Sequence, residues 1–320
     1  MDFKQIPTVD YAKFISGDPV KKAEFIQELG DSFSGLGFAI VSNHGLADSL
    51  RDGLYKTVMD FFTLPDPVKT NYEIPGLAGQ RGYTGKGKEH AKGRSTGDLK
   101  EFYHVGQEVN DGDPIKKEYP ENVWPDEVPD LKKYSLEVYR RFEDVGRGLL
   151  RATALYLDLP ETYFDAKIHH GNSILRPIHY FPIENPDEVP ADAVRAAEHE
   201  DINLITLLMG ASAEGLQVLG KEGKWIAASP DANQIVINVG DMLQRLTNNR
   251  LKSTTHRVVN PPREKMHLPR YSIPFFLHPR SEMSLVCLES CVSDEHPKTY
   301  TDCTAGEYLE ERLREIGLRK

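Results

Sequence analysis

The chain has 320 residues, with 39 Lys and Arg against 49 Asp and Glu, a formal net charge of −10. This length gives one large domain or two modest ones with a sizeable core, and the acidic balance argues against general binding to phosphate backbones. The apolar runs fall far short of the ~18–20 residues of a membrane span, and Met1-Asp2-Phe3-Lys4-Gln5 lacks the charged-then-apolar pattern of a secretory leader.

The first 45 residues read as strand, helix, strand. Ala23, Phe25, Ile26, Leu29 and Phe33 form a helical stripe that Gly35-Leu36-Gly37 ends. Phe38-Ala39-Ile40-Val41 is a short buried strand. Asn43-His44-Gly45 turns the chain, which gives His44 a structural place. A second helix carries Leu50, Leu54, Val58, Phe61 and Phe62 and stops near Leu64-Pro65. Residues 72–130 have little periodicity and are rich in Gly, Pro, Lys and Glu, the texture of a functional loop or lid. Within them, residues 98–104 alternate enough for an edge strand over the mouth of a barrel. A long helix follows Pro129-Asp130, with Val138, Phe142, Val145, Leu149 and Ala152 on one face. His169 and His170 read as surface residues.

Beyond Ser173, β-prone runs at 174–181, 202–209, 216–219, 234–239, 253–259, 270–277 and 284–288 are separated by turns rich in Gly, Pro, Asn or Asp. Many short strands at close spacing indicate a sandwich or barrel of the jelly-roll kind. A last helix over 304–316 would turn Tyr308, Leu309, Leu313 and Ile316 inward. The expected class is α+β, with a helical and mixed region at 1–130 that carries substrate loops. Residues 131–320 hold the long helix, the β core and the C-terminal helix, and no clear linker separates the two parts. Cys287, Cys291 and Cys303 are too few for a disulfide framework and fit free thiols in a reducing, cytoplasmic compartment.

Three residues of the β region stand out: His199, Asp201 and His256. Two residues apart on an extended strand, His199 and Asp201 would point the same way, and a His from a distant strand would complete two imidazoles and one carboxylate. That set is the facial triad of non-haem Fe(II) oxygenases, which leaves three coordination positions open. Taken alone, Glu198-His199-Glu200-Asp201 also fits a solvated charge cluster. Arg270 and Ser272 share one face of a further strand, where a guanidinium and a hydroxyl make a carboxylate clamp. His267 and His278 flank that strand as weaker rivals for a ligand role.

Several stretches resemble isopenicillin N synthase and the plant-type 2-oxoglutarate dioxygenases. They are His199-Glu200-Asp201-Ile202-Asn203-Leu204-Ile205-Thr206-Leu207-Leu208, Leu246-Thr247-Asn248-Asn249 leading to His256-Arg257-Val258, Arg270-Tyr271-Ser272-Ile273-Pro274-Phe275-Phe276, and Gly37 to Gly45. The resemblance implies a distorted double-stranded β-helix with flanking helices. It implies Fe(II) on His199, Asp201 and His256. It also implies 2-oxoglutarate held through its far carboxylate by Arg270 and Ser272, with Tyr180 reaching the same group. Phe181 stands between Tyr180 and Pro182, a departure from the family pattern. By the resemblance, the 98–104 segment and the Arg81-Gly82-Tyr83 turn contribute to the substrate pocket, which makes Arg81, Tyr83, Lys100, Phe102 and Tyr103 substrate candidates, and Arg81, Lys100 and Tyr103 would suit a small polar or carboxylated substrate. His179 neighbours that pocket and faces either the substrate or the core. The implied reaction uses O₂ to hydroxylate, desaturate or cyclise a small molecule, releasing succinate and CO₂, with no nucleic acid, membrane or obligate protein partner. A 2-oxoglutarate-independent oxidase of the isopenicillin N synthase type ranks second, because the chain has no Gln after Gln244. A non-catalytic metal-binding jelly roll is the remaining alternative.

Overall fold

The computed structural model describes residues 3–315 apart from 78, 89–99, 186, 188–193 and 211–213. Strand β1 (Thr8–Asp10) leads into helices α1 (Tyr11–Ile15) and α2 (Pro19–Gly35), and pairs in parallel with β2 (Phe38–Ser42). Asp10 and Asp18 cap the two helices through their carboxylates, and Pro19 fills the first position of α2. The predicted stripe holds at Phe25, Leu29 and Phe33, which are buried, and at half-buried Ile26, but Ala23 is exposed. Gly37 then turns with φ +77°, where a Cβ would lie 2.1 Å from the Lys252 carbonyl oxygen. Helices α3 (Asp48–Phe62) and α4 (Asp66–Thr70) follow, then β3 (Gly82–Thr84), β4 (Lys100–Gly106), the long α5 (Asp130–Tyr156) and α6 (Asp165–Ile168).

The β core comprises β5 (Ile174–Leu175), β6 (Ile178–Tyr180), β7 (Ala196–His199), β8 (Ile205–Met209), β9 (Leu216–Leu219), β10 (Trp225–Ala227), β11 (Ile235–Val239), β12 (His256–Val258) and β13 (Arg270–Leu277). Helix α7 (Asp241–Leu246) is inserted after β11, and α8 (Ala305–Glu315) closes the chain. The large sheet runs β1-β2-β11-β8-β13-β5-β4-β3, with β6 also joining β13 to β4. The small sheet runs β10-β9-β12-β7. Apolar clusters between the sheets draw on both: Phe38, Ile40 and Val236 meet Leu216 and Val218, and Phe102, Ile178 and Tyr180 meet Ala196 and Val258. Helix α5 lies on the outer face of the large sheet at Gly146, where a Cβ would come within 2.3 Å of Leu277 Cδ1. One core cluster on that side takes Phe25 and Phe61 from the N-terminal part together with Phe142, Leu207 and Phe275.

Four expectations are corrected. The run at 174–181 is two strands, because Arg176-Pro177 interrupts the ladder and proline has no N–H to donate. The stretch at 98–104 does not supply an edge strand: β4 pairs with β3, β5 and β6 and is buried along most of its length. Residues 284–288 form no strand, only an isolated bridge from Ser284 to Thr304. Along α8, Tyr308 is buried, whereas Leu309 and Leu313 are half-buried, and Ile316 falls outside the described residues.

Candidate active site

Strands β7 and β12 pair antiparallel with His199 opposite His256, their ring centroids 4.3 Å apart. The strand β7 ends at His199, and the chain then crosses to the large sheet, so Asp201 lies in the crossing before β8. The expectation that His199 and Asp201 share a strand is therefore corrected. They converge because the chain changes sheets between them.

Each side chain is fixed by its own surroundings. The Nδ1 of His199 donates to the Ala197 carbonyl at 2.7 Å, and that of His256 to the Thr254 carbonyl at 3.1 Å. A carbonyl can only accept, so each neutral ring carries its proton on Nδ1 and keeps the Nε2 lone pair. Asp201 Oδ2 accepts from Thr206 Oγ1 of β8 at 2.6 Å and from Asn238 Nδ2 of β11 at 2.8 Å. Its Oδ1 lies 3.8 Å from His256 Nε2. One ligand atom from each of the three residues lies within 4.8 Å of the others.

The electrostatics suit a cation. His199 reaches solvent at its edge, yet the protein packed round the ring and the nearby His256 push its imidazole down to about 4. Burial alone would raise the Asp201 carboxyl. The electrostatic pull of the His256 and His199 rings and the bonds from Asn238 and Thr206 outweigh it and hold the group below its usual range. Neutral imidazoles and an ionised carboxylate are the donor set of a divalent first-row metal with open positions.

Three strands build the neighbouring wall. Arg270 of β13 lies opposite Tyr180 of β6, which lies opposite Lys100 of β4. Ser272, Ile178 and Phe102 form the next row, and Tyr271, His179 and Glu101 the row between. Directly paired residues share a face and successive residues alternate. Arg270, Ser272, Tyr180, Lys100 and Phe102 thus face the space between the sheets. The Arg270 guanidinium lies 5.0 Å from the Tyr180 ring centre.

The opposite face takes the rest. Glu101, 1% exposed, accepts from Lys69 Nζ at 2.8 Å, Tyr83 Oη at 2.6 Å and His179 Nδ1 at 2.7 Å. His179 stacks on Tyr271, and the Tyr103 ring lies 4.9 Å from that of Phe61 on α3. Arg81 folds over Gly106 at the far end of β4, where a Cβ would meet its Cζ at 1.9 Å. Arg81, Tyr83, Tyr103 and His179 are therefore not brought together with the triad, a correction to the expected substrate set.

Arg176 lies between the rings of Phe102 and Phe276, 4.6 and 5.2 Å from their centres, and donates from Nε to His104 Nε2. Burial pushes His278 down to about 4, within electrostatic reach of Asp201 and Arg176. The alternation of β4 places His104 on the Phe102 face, a signal the sequence carried. The Arg176 position depends on the β5–β6 break.

A two-sheet β core with two His and one carboxylate at its mouth, beside a buried Arg and Ser, has the architecture of a non-haem iron oxygenase. Residues 6–127 match the family described as non-haem dioxygenase in morphine synthesis N-terminal, and residues 171–279 match the 2OG-Fe(II) oxygenase superfamily. The chain is 31% identical to a 2-oxoglutarate-Fe(II) type oxidoreductase of Metarhizium rileyi, over 97% of this chain and 91% of that protein. A 2OG-Fe(II) oxygenase family protein from Caulobacter crescentus superposes with TM-score 0.87 at 42% identity, covering 97% of this chain and 99% of that one. A full-length Neurospora crassa protein in complex with alpha-KG and thymine gives TM-score 0.85 at 31% identity, covering 97% and 96%.

The chain belongs to the 2OG-Fe(II) oxygenase superfamily, and its β core is the double-stranded β-helix of that superfamily. It is an Fe(II)- and 2-oxoglutarate-dependent oxidoreductase. These relatives do not favour the 2-oxoglutarate-independent oxidase or the non-catalytic reading. No helix among the described residues is long and apolar enough to cross a membrane.

Proposed function

We propose that His199, Asp201 and His256 hold the Fe(II), and that Arg270 and Ser272, with the Tyr180 ring beneath the guanidinium, hold the far carboxylate of 2-oxoglutarate. The observation that carries this reading is the convergence of three ligand atoms within 4.8 Å, with both imidazole protons committed to backbone carbonyls. When bound, iron and 2-oxoglutarate supply the oxidising power for attack by O₂ on a substrate C–H bond, with succinate and CO₂ as co-products.

The chain's own residues do the positioning. Asn238 and Thr206 occupy Asp201 Oδ2, which leaves Oδ1 for the metal. Phe102 and Phe276 form apolar walls that restrict water. Lys100 and Arg176 place two cations on the substrate side, which suits a small polar or carboxylated substrate. The thymine complex of the Neurospora crassa relative supports a compact, carbonyl-bearing molecule.

The same reading treats the N-terminal region, 1–130, and the catalytic region, 131–320, as one unit, supported by their shared core. A net charge of −10 argues against nucleic acid as partner, and the free Cys287, Cys291 and Cys303 fit a cytoplasmic setting in which the enzyme needs no obligate protein partner.

The test is anaerobic addition of 2-oxoglutarate to the Fe(II)-loaded protein, followed by air. A visible charge-transfer band and then succinate are expected from the wild type, and neither from Asp201→Ala. A wild-type level of both in that variant would remove Asp201 from the site.

A further inference from the structure

Arg195, just before β7, is 3% exposed. Its Nη2 donates to the Leu268 carbonyl at 2.8 Å, whereas its Nε is buried without a hydrogen-bond partner. Among the described residues no carboxylate pairs with it. Arg270, 1% exposed, is its charged neighbour. Both arginines line one cavity of about 670 Å³, together with Leu208 and Val236 of the large sheet, Leu216 of the small one, Lys265 and the carboxylates Glu214 and Asp231. Burial, and then the like charge of Arg270, push the Arg195 guanidinium down to about 10. A buried guanidinium without a carboxylate is costly, and a like charge beside it adds repulsion. With the like charge of Arg270 beside it, the Arg195 guanidinium is a group that an anion in this cavity would relieve.

We infer that Arg195 is a specificity-determining residue of the co-substrate pocket, joining Arg270 in a two-guanidinium cradle that selects 2-oxo acids ending in a second carboxylate. The inference rests on the reading of Arg270 as the co-substrate's partner. A carboxylate has about four lone-pair sites, enough for the Arg270 fork, the Ser272 hydroxyl and one further N–H. The Arg195 Nε is that N–H. A 2-oxo acid without a far carboxylate, such as pyruvate, gains nothing from the cradle.

The experiment compares 2-oxoglutarate with pyruvate on the anaerobic Fe(II)-loaded protein, by calorimetric titration and by the visible band of the chelate. Arg195→Gln removes the charge and keeps a donor for the Leu268 carbonyl. It should weaken 2-oxoglutarate about tenfold or more, the usual effect of losing a charge-assisted hydrogen bond. Pyruvate should stay within about twofold by the same argument. Arg195→Lys should recover part of the loss, and metal-free Arg195→Gln should melt no lower than wild type, because an unpaired buried charge has gone. Should Arg195→Gln fail to fold, Arg195→Lys decides: wild-type selectivity with a lowered melting point would make Arg195 a structural residue and overturn the inference. Equal losses for the two acids, or unchanged 2-oxoglutarate binding, would also overturn it while leaving Arg270 in place. A wild-type protein that binds no 2-oxoglutarate would overturn this inference and the underlying reading together.

Discussion

His199 and His256 stand opposite each other in the β7–β12 ladder, and each is turned by the backbone carbonyl two residues before it, Ala197 in one case and Thr254 in the other. Both rings are thus set before any metal arrives, with Nε2 toward the other ring and toward Asp201. Removing one ligand should cost metal rather than fold. His256→Ala is expected to retain the wild-type melting transition and to lose both bound Fe(II) and turnover. Iron retained at wild-type stoichiometry would refute the ligand assignment.

Asn238 and Thr206 act on the metal only through Asp201. Partners of this kind, which orient a ligand, typically contribute about 10–100-fold in metal affinity. Asn238→Leu should therefore weaken Fe(II) or Co(II) binding by about that factor, with turnover largely restored at saturating metal. A loss of turnover that excess metal does not restore would give Asn238 a different role.

The two faces of β4 predict two kinds of phenotype. Lys69 and Glu101 form an ion pair buried on the face away from the triad. Breaking such a pair leaves an uncompensated charge and costs about 3–5 kcal/mol. Lys69→Met should accordingly lower stability by about that amount in denaturant unfolding, with little change in KM for either substrate. Lys100→Ala should do the reverse, raising KM or lowering kcat while shifting unfolding less. A KM change in Lys69→Met at unchanged stability would contradict the assignment of faces.

The contrast between those faces also marks how far the sequence could be read. Strand β13 was legible to its ends, since Arg270–Leu277 is a long β-prone run between prolines and turns. Arg270-x-Ser272 was legible for the same reason, whereas the ligand residues were legible from their donor types and from the family resemblance. The expected substrate set mixed Lys100 and Phe102 with Tyr103, although neighbours on a strand point to opposite faces. Without β4 recognised as an internal strand, nothing in the local sequence separated the two. Strand β7 was missed because Ala196-Ala197-Glu198-His199 has no β-branched or large aromatic residue. Its pairing with β12 supplies what local propensity does not.

Two groups outside the triad predict opposite bends in the dependence of stability on pH. His44 is held neutral: its Nε2–H donates to the Asn233 carbonyl at 2.9 Å and its Nδ1 accepts from the Leu46 N–H at 3.2 Å. Burial lowers it from 6.5, so the fold binds fewer protons there than the unfolded chain. Its contribution is complete above pH 6.5 and is lost as pH falls below that value. Glu143 on α5 is raised by burial from 4.5 to about 7. The fold therefore holds its proton more tightly than the unfolded chain, and that contribution is lost as pH rises from 4.5 through 7. Glu143→Gln removes only the second effect. Its unfolding free energy relative to wild type should rise between pH 5 and pH 8, by at most about 1.4 kcal/mol per pH unit. His44→Gln should gain on wild type as pH falls from 6.5 toward 5. Denaturant unfolding of both variants across that range is the measurement. A difference from wild type that does not vary with pH would assign ordinary titration to the residue concerned.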